Sequence, residues 1–346
     1  FLQSAAASIT QHQGVDRASV KNNQKMKDGM QSSTYSIPCQ EVVRCLEFSP
    51  FPWSCQLLAF ATATRVSVVS CRFQEEDADI DGIDYTHIKD IQMDHGIACI
   101  AWSSKTSISV LDKQLCFAVG CDDKNVRVFT SDLKDTNDTQ VLQGHTGFVN
   151  SVTFAPHDDD QLASTGDDLT CRVWSRDSEE SLVFKLTAPG MAVCWHPDEP
   201  LKVMVGQKDG IIRFFSLSNQ QPIMSLSCGV TPLLDCDWSK HNSLLVGAVA
   251  GSDWIVFDTS LSSMPLDKRQ AHVEGARSFR WSQSHESLLA TLGRPQRQVK
   301  VFNTRHQQLH VSASLPVAYG LTWHCTLPVL AVGGDEKVHL WLVEST

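Results

Sequence analysis

One short pattern recurs seven times along the 346 residues and constrains the fold more than any other feature. In each copy an apolar stretch ends in an aromatic residue, and Ser or His usually follows directly. The aromatic anchors are Phe48, Trp102, Phe154, Trp195, Trp238, Trp281 and Trp323. Successive anchors are 54, 52, 41, 43, 43 and 42 residues apart. This regularity indicates a chain built from seven similar units rather than from two unrelated domains.

Two further segments follow each anchor. A small apolar stretch comes first, and an alternating apolar and polar stretch comes second, which is typical of strands with one buried face. Turn-forming residues such as Gly166-Asp-Asp168 and Lys208-Asp-Gly210 separate the two segments and favour tight hairpins. Units of 40 to 45 residues with four strands each are typical of WD-repeat propellers. The sequence therefore predicts an all-β fold, a seven-bladed WD-repeat β-propeller.

The third unit carries the most complete set of WD-repeat residues. Gly144-His145 opens it, Trp174 ends its third strand, and Asp168 lies six residues before Trp174. In such repeats the His, the hairpin Asp and the strand-end Trp form a buried chain of hydrogen bonds, which is stronger when complete. We therefore expect His145, Asp168 and Trp174 to form a structural network within this blade.

The seventh unit ends after its third strand, so a closed ring needs an outer strand from elsewhere in the chain. The segment Thr34-Tyr-Ser-Ile-Pro-Cys39 precedes the first anchor and is available for this role. Pro38 suits an outermost strand, because such a strand tolerates the loss of a ladder hydrogen bond. The sequence thus predicts that residues 33–346 form one propeller closed by an N-terminal strand.

Residues 1–30 are polar and lack the period, so we expect a disordered leader. We interpret residues 1–25 as non-native, derived from an upstream reading frame or a cloning vector. Met26 and Met30 are both candidate start residues.

An acidic insertion lengthens the first unit. Residues 74–84 contain six carboxylates in eleven positions, too many for a core strand. One interpretation is a loop that docks on a basic partner surface, and the other is a solvated connection, which is the commoner fate of a charge run. The candidate partner contacts in this loop are Glu75, Glu76, Asp77, Asp79 and Asp81.

Charge and hydropathy exclude several classes of function. The net charge of −10 argues against a nucleic-acid-binding surface, which needs clustered Lys and Arg. No apolar run approaches the length of a membrane span, so we expect no membrane insertion. None of the 12 cysteines forms a Cys-x-x-Cys pair, and many lie in apolar strand-like stretches. We therefore expect an intracellular protein with reduced thiols.

No catalytic or metal-binding motif with specific spacing is present in the sequence. It lacks a P-loop, a G-x-G-x-x-G after a strand, an H-E-x-x-H and a G-x-S-x-G. His306 and His310 are four residues apart, a separation of about 14 Å on a strand, so they cannot share one ion. We predict a protein that is not an enzyme and has no catalytic residue, cofactor or metal.

One basic hairpin supports an alternative function. Arg294 and Arg297 lie close together in the sixth unit with Lys300, while Lys268 and Arg269 are placed in the preceding loop. Arginine clusters recognise phosphate groups, so the alternative is an adaptor that reads a phosphopeptide or degron in a ubiquitin-ligase-type complex. The simpler interpretation is a solvent-exposed turn, which the presence of only two neighbouring arginines favours.

Longer strings resemble a known family far more specifically than the WD pattern does. The string from Cys71 to Tyr85 closely resembles the first insertion of the small, thirty-seven-kilodalton WD-repeat nucleoporins of the Y-shaped nuclear pore complex. Pro189-Gly-Met-Ala-Val-Cys-Trp-His-Pro197 and Gly320-Leu-Thr-Trp-His-Cys-Thr-Leu-Pro328 are similar to other parts of that family. The resemblance runs from about Met26 to the C-terminus.

This resemblance implies a non-enzymatic scaffold subunit at the nuclear pore. It implies a large propeller-and-helix nucleoporin as the partner and, through that protein, the rest of the Y complex, located in the outer rings on both faces of the pore. It also implies a place in nucleocytoplasmic transport and, in animals, at kinetochores in mitosis. We expect no direct nucleic-acid contact and no obligate homo-oligomer. The resemblance identifies no individual contact residue.

Overall fold

A computed structural model of the chain describes residues 31–110, 112–134, 137–156, 158, 160–175 and 182–344. Within these residues, 28 strands pair into seven four-stranded antiparallel sheets. The first strand along each sheet contacts the first strand of the next sheet, and this chain of contacts returns to its start. The prediction of a seven-bladed β-propeller is therefore confirmed. The predicted leader, residues 1–30, lies outside the described residues.

The strands of blades 1 to 7 follow one another in chain order, except that the N-terminal strand β1 belongs to blade 7. Blade 1 comprises β2 Cys45–Phe48, β3 Leu57–Ala61, β4 Arg65–Phe73 and β5 Ile83–Gln92. Blade 2 comprises β6 Ile97–Trp102, β7 Leu115–Cys121, β8 Val126–Ser131 and β9 Asn137–Leu142. Blade 3 comprises β10 Val149–Phe154, β11 Gln161–Gly166, β12 Thr170–Ser175 and β13 Leu182–Lys185. Blades 4 and 5 comprise β14 Gly190–Trp195, β15 Lys202–Gln207, β16 Ile211–Ser216, β17 Gln221–Ser227; β18 Leu233–Trp238, β19 Leu245–Ala250, β20 Asp253–Asp258, β21 Asp267–Gln270. Blades 6 and 7 comprise β22 Ala276–Trp281, β23 Leu288–Gly293, β24 Gln298–Asn303, β25 Gln308–Ser314; β26 Tyr319–Trp323, β27 Val329–Gly333, β28 Lys337–Leu342 and β1 Tyr35–Pro38.

The N-terminal strand closes the ring as predicted. β1 is the outermost strand of blade 7 and pairs antiparallel with β28, with Ile37 opposite Val338 and Pro38 opposite Lys337. Tyr35 and Ile37 are buried, whereas the intervening Ser36 is exposed, as the two-residue period of a strand requires. The buried pair joins a cluster with side chains from blades 7 and 1, so the strand stabilises the junction between the first and last blades.

The anchor aromatic residues connect neighbouring blades. Each anchor ends the innermost strand of its blade, and three of the anchor indoles donate to a backbone carbonyl of the preceding inner strand. The Nε1–O distances are 2.9 Å from Trp102 to Glu47, 3.2 Å from Trp195 to Thr153 and 3.3 Å from Trp323 to Arg280. The other two anchor indoles differ: Trp238 donates to the Ser243 carbonyl of its own blade at 2.7 Å, and Trp281 Nε1 is buried without a partner. The position in the blade is therefore shared more strictly than the hydrogen bond.

The Ser or His after the anchor caps the next turn. His196 Nδ1 accepts hydrogen bonds from the backbone amides of Asp198 and Glu199, both at 3.0 Å. His324 Nδ1 accepts the Leu327 amide at 3.1 Å, and Ser282 Oγ accepts the His285 amide at 3.2 Å. Side-chain acceptors of this kind satisfy amides that the turn leaves without a ladder partner. The repeat position of these residues therefore has a structural cause.

Connections alternate between two faces of the ring because successive strands of a blade are antiparallel. The entry face holds the start of every inner strand and the hairpins between second and third strands. The exit face holds the connections between first and second strands and between third and fourth strands.

Two predicted residue positions need correction. Lys268 and Arg269 lie on the outer strand β21 and not in a loop. His306 also departs from expectation, since it lies in the turn before β25 while His310 lies on that strand.

Among the residues that the structure describes, no helix has the length and apolarity needed to cross a lipid bilayer.

Candidate partner-binding surfaces

The structure brings His145, Asp168 and Trp174 together through a fourth residue. His145 Nδ1 lies 2.8 Å from Asp168 Oδ2, and its Nε2 lies 2.8 Å from Ser164 Oγ. The Trp174 indole donates to the same Ser164 hydroxyl at 2.8 Å, and Thr170 Oγ1 donates to Asp168 at 2.7 Å. Sequence reasoning missed Ser164 and Thr170, although the WD-type spacing pointed to this blade. The network joins the entry-face hairpin to the blade interior.

Burial keeps this network in one charge state. It lowers the pKa of His145, and the nearby Asp168 carboxylate only partly opposes this effect, so the imidazole is neutral near pH 7. Burial alone would raise the pKa of Asp168, but hydrogen bonds from Thr170, the Thr146 amide and His145 outweigh it and lower that pKa. Both ring nitrogens of this neutral histidine lie within hydrogen-bond distance of a side chain of the same blade, which agrees with the predicted structural network.

The acidic insertion forms the exit-face hairpin between β4 and β5, and it is tied to the closing strand. Tyr35 Oη donates to Glu75 Oε1 at 2.8 Å, although the two residues belong to blades 7 and 1. Within the loop, Asp77 accepts the Asp79 amide at 3.1 Å, and Gly82 adopts a positive φ of 83° that reverses the chain. Glu75, Glu76, Asp79 and Asp81 are exposed and Asp77 is half-buried. The loop is therefore a folded hairpin with most carboxylates at the surface.

Three potential metal ligands meet beside this hairpin. Single ligand atoms of Cys55, Glu76 and His324 all lie within 4.8 Å of one another. However, His324 Nδ1 already accepts the Leu327 amide, and the ring stands edge-on to Phe48 and Phe73. The turn therefore occupies Nδ1 and leaves Nε2, which is buried and has no hydrogen-bond partner, as the nitrogen available to a ligand. The group helps to seat the acidic hairpin against blade 7.

Charged side chains line the central channel between blades 5, 6 and 1. Arg280 donates to Asp235 Oδ2 at 2.7 Å, and the same oxygen accepts the Phe279 amide at 3.0 Å. Asp237 accepts the Trp281 amide at 2.9 Å. Burial raises the pKa of Glu47 to about 7 despite the nearby Arg280. Asp235 and Asp237 accept hydrogen bonds across the boundary between blades 5 and 6, so they fasten these two inner strands together.

An arginine cluster surrounds the entry-face mouth of the channel. We use the name arginine mouth for Arg277, Arg294 and Arg297 of blade 6 together with Tyr319 of blade 7. The guanidinium carbons of Arg297 and Arg277 lie 4.8 and 5.4 Å from the centre of the Tyr319 ring. A cavity of about 730 Å³ opens beside them and is lined by Arg277, Arg294 and Tyr319, with Arg44 and Glu274 also on its wall. Arg297 does not line it and lies next to it over the Tyr319 ring. The mouth thus combines a deep opening with several cations.

The basic hairpin of the sequence analysis contributes only in part to this mouth. Arg294 and Arg297 are there, but Lys300 Nζ donates to the Ala271 carbonyl at 2.7 Å. Lys268 Nζ lies 3.6 Å from Asp253 Oδ2, and Arg269 Nε lies 3.1 Å from Asp267 Oδ1. Sequence reasoning missed Arg277 and Tyr319 because the fold, not the local sequence, brings them to Arg297.

The exit face of blade 5 exposes a group of apolar side chains. Leu261, Met264 and Leu266 lie in the connection between β20 and β21 with 70, 71 and 56% of their surface exposed. The neighbouring connection carries Leu244, 44% exposed, and its carbonyl accepts the Thr259 amide at 2.9 Å. We call these four leucine and methionine residues the blade 5 patch. Exposed apolar groups of this kind are typical of surfaces that contact other proteins.

Comparison with known proteins identifies the family of this chain. The WD domain, G-beta repeat family matches residues 136–175, which hold the outer strand of blade 2 and the first three strands of blade 3. The nucleoporin Nup37 of mouse is 41% identical over 92% of this chain and 99% of its own length. The chain belongs to the Nup37 nucleoporin family. Human Nup37 is 40% identical over the same shares, and Drosophila melanogaster Nup37 is 29% identical over 90% of this chain and 97% of its own length.

Membership of the Nup37 family confirms the resemblance stated from the sequence. The match extends over nearly the whole propeller, so it includes both faces of the ring and the acidic hairpin region. A nucleoporin of this family is a structural protein and not an enzyme, which agrees with the hydrogen-bonding role of the buried His145 and Asp168. The surfaces that matter for function are therefore those that contact partner proteins.

Proposed function

We propose that this chain is a structural subunit of the nuclear pore complex, in its outer-ring, Y-shaped scaffold. In this proposal it binds a large propeller-and-helix nucleoporin and, through it, the rest of the Y complex. The role supports nucleocytoplasmic transport and, in animals, kinetochore function. The observation that carries the proposal is the 40 to 41% identity with mouse and human Nup37 over 92% of the chain.

The physical character of the propeller supports a scaffold role. Each blade is joined to the next by hydrogen bonds and packing, and β1 fastens the ring, so the molecule presents preformed surfaces. A preformed surface loses little conformational entropy on binding. The exit face offers two such surfaces, the blade 5 patch and the acidic hairpin.

We assign the main scaffold contact to the blade 5 patch. A stable interface needs apolar side chains at its centre, and those of Leu261 and Met264 are mostly exposed in the free chain. The acidic hairpin suits the rim of an interface, because its exposed carboxylates attract a basic partner surface but gain little from burial. Glu75 is already held by Tyr35, so the hairpin needs little ordering when it binds.

Affinity purification with quantitative mass spectrometry tests the function. The tagged full chain should recover Y-complex nucleoporins in stoichiometric amounts, and a fluorescent fusion should mark the nuclear rim in interphase and kinetochores in mitosis. Recovery of ubiquitin-ligase subunits in place of nucleoporins would show that the adaptor alternative is right.

Two variants separate the contact surfaces. Leu261→Asp combined with Met264→Asp should reduce recovery of the large nucleoporin at least tenfold, because a hydrophobic interface centre rejects buried charge. Charge reversal at Glu75, Glu76, Asp77, Asp79 and Asp81 should weaken recovery less and increase its salt dependence. Leu309→Asp is the matched control, since Leu309 is 49% exposed on the outer strand of blade 6. Normal recovery with the Leu261 and Met264 variant would contradict the assignment.

A further inference from the structure

The arginine mouth holds cations that no carboxylate of the described residues neutralises. Among the described residues, no carboxylate oxygen lies within 4.0 Å of a guanidinium nitrogen of Arg277, Arg294 or Arg297. The Arg297 Nη1 atom is buried and lacks a hydrogen-bond partner. A buried guanidinium nitrogen without an acceptor is costly, so this position favours the arrival of an anionic ligand.

The three arginines are also held in position before any ligand binds. Arg277 and Arg297 both stack on Tyr319, an arrangement that is stabilised by attraction between a cation and the ring face. Arg294 and Arg297 belong to one hairpin, in which Gln296 and Arg297 adopt positive φ values of 57° and 47°. The tight turn fixes the direction in which the two side chains leave the backbone. Preorganised donors lose less entropy when they bind.

The chemistry of the ligand follows from the donors. Each guanidinium presents several N–H groups in a plane that matches two oxygens of a phosphate or carboxylate. Arg277 and Arg294 at the opening, with Arg297 beside them over Tyr319, exceed what a single carboxylate needs but suit a phosphate dianion with its three acceptor oxygens. The cavity of about 730 Å³ is large enough to admit a side chain. The carboxylate of Glu274 and the net charge of −10 repel anions. An anion that contacts only one arginine is therefore disfavoured, and one that contacts several is preferred.

We propose that the arginine mouth binds a phosphoserine or phosphothreonine side chain in an extended segment of a partner protein. Arg277, Arg294 and Arg297 contact the phosphate oxygens, and Tyr319 holds the two stacked guanidinium groups. The site lies on the entry face, opposite the blade 5 patch, so it does not depend on the scaffold contact proposed above. A segment bound there is released when its phosphate is removed.

The test uses the full chain and an immobilised degenerate peptide library with one fixed phosphoserine. A matched library with unphosphorylated serine is the control for the phosphate, and inorganic phosphate is the competitor. We expect retention by the phosphorylated library at least tenfold above the control, with weaker retention as salt increases. Retention that millimolar inorganic phosphate abolishes at equal ionic strength would show that the site binds free phosphate and would overturn the peptide assignment.

Variants locate the binding. Arg277→Ala and Arg297→Ala should each lower retention at least tenfold, and Tyr319→Leu should lower it less, through loss of stacking. Arg305→Ala is the matched control, because Arg305 belongs to the same blade but lies on the exit face, paired with Glu286. Circular dichroism melting shows which variants remain folded. Equal retention of both libraries by the wild-type chain, or normal retention by the folded Arg277 and Arg297 variants, would overturn the proposal.

Discussion

The N-terminal strand makes a quantitative prediction about the stability of the ring. Ile37 is 1% exposed and packs in the cluster shared by blades 7 and 1, with Phe48, Phe73 and Val338 among its members. Replacing it with Ala removes buried methyl groups and leaves a cavity that the two blades cannot easily close. We expect Ile37→Ala to lower the free energy of unfolding by about 3 kcal/mol, within the 2–5 kcal/mol typical of such substitutions.

Thermal melting followed by circular dichroism, together with urea denaturation followed by tryptophan fluorescence, measures this effect. An unfolding entropy of about 2.1 cal/mol/K per residue gives a shift of about 1.5 °C per kcal/mol for a domain of this length. The melting temperature should therefore fall by about 5 °C. Ser36→Ala is the control, because Ser36 lies on the exposed side of the same strand and should change stability by less than about 0.5 kcal/mol.

Removal of the whole strand β1 should have a larger effect than Ile37→Ala. Deleting residues 33–40 exposes the edge of β28 and the buried face that Tyr35 and Ile37 cover, so we expect loss of soluble folding. Equal stabilities of Ile37→Ala and Ser36→Ala, or a soluble deletion variant that melts normally, would show that β1 does not close the ring.

Two further predictions concern buried polar groups. Ser164→Ala should lower the free energy of unfolding, measured by urea denaturation, by about 2–3 kcal/mol. The substitution leaves His145 Nε2 and the Trp174 indole without the hydroxyl that both contact. An effect below about 0.5 kcal/mol would contradict the network. Burial lowers the pKa of His272 to about 4 in the folded chain, whereas its unfolded pKa is about 6.5. The stability that the neutral side chain contributes is therefore complete above about pH 6.5 and is lost as the pH falls towards 4. The free energy of unfolding should fall by about 3 kcal/mol between about pH 6.5 and pH 4. His272→Gln should reduce this fall. The same pH dependence in the variant and the wild-type chain would contradict the role of His272.

The blades were predictable because each one repeats a local pattern. An inner-strand anchor such as Trp195, a small second strand and an alternating third strand each follow from side-chain periodicity, which acts over a few residues. The closing strand was predictable by a different route, since the seventh unit lacked a partner for β28. His196 and His324 each follow an anchor tryptophan, and their turn-capping bonds give a physical reason for a histidine at that position of the repeat.

The surfaces were less predictable because they join residues that are far apart in the sequence. Tyr35 reaches Glu75 across the boundary between the last and first blades, and no local signal marks that contact. Arg277 precedes Arg297 by a whole hairpin and meets it over Tyr319 of the next blade. Ser164 is an ordinary strand residue until the hairpin places His145 beside it. Ring closure and blade packing, not local sequence, decide these contacts.

The two faces of the ring have opposite characters, and this division bears on how a scaffold subunit can be regulated. The exit face carries the apolar blade 5 patch and the acidic hairpin, whereas the entry face carries arginines beside the channel that no carboxylate of the described residues pairs with. A partner fixed to the exit face leaves the arginine mouth accessible, because the whole blade height separates the two surfaces. A phosphorylated segment can then attach to, or leave, a ring that stays in its scaffold. Such a division predicts that the Arg277 and Arg297 variants recover scaffold partners normally while they lose phosphopeptide binding.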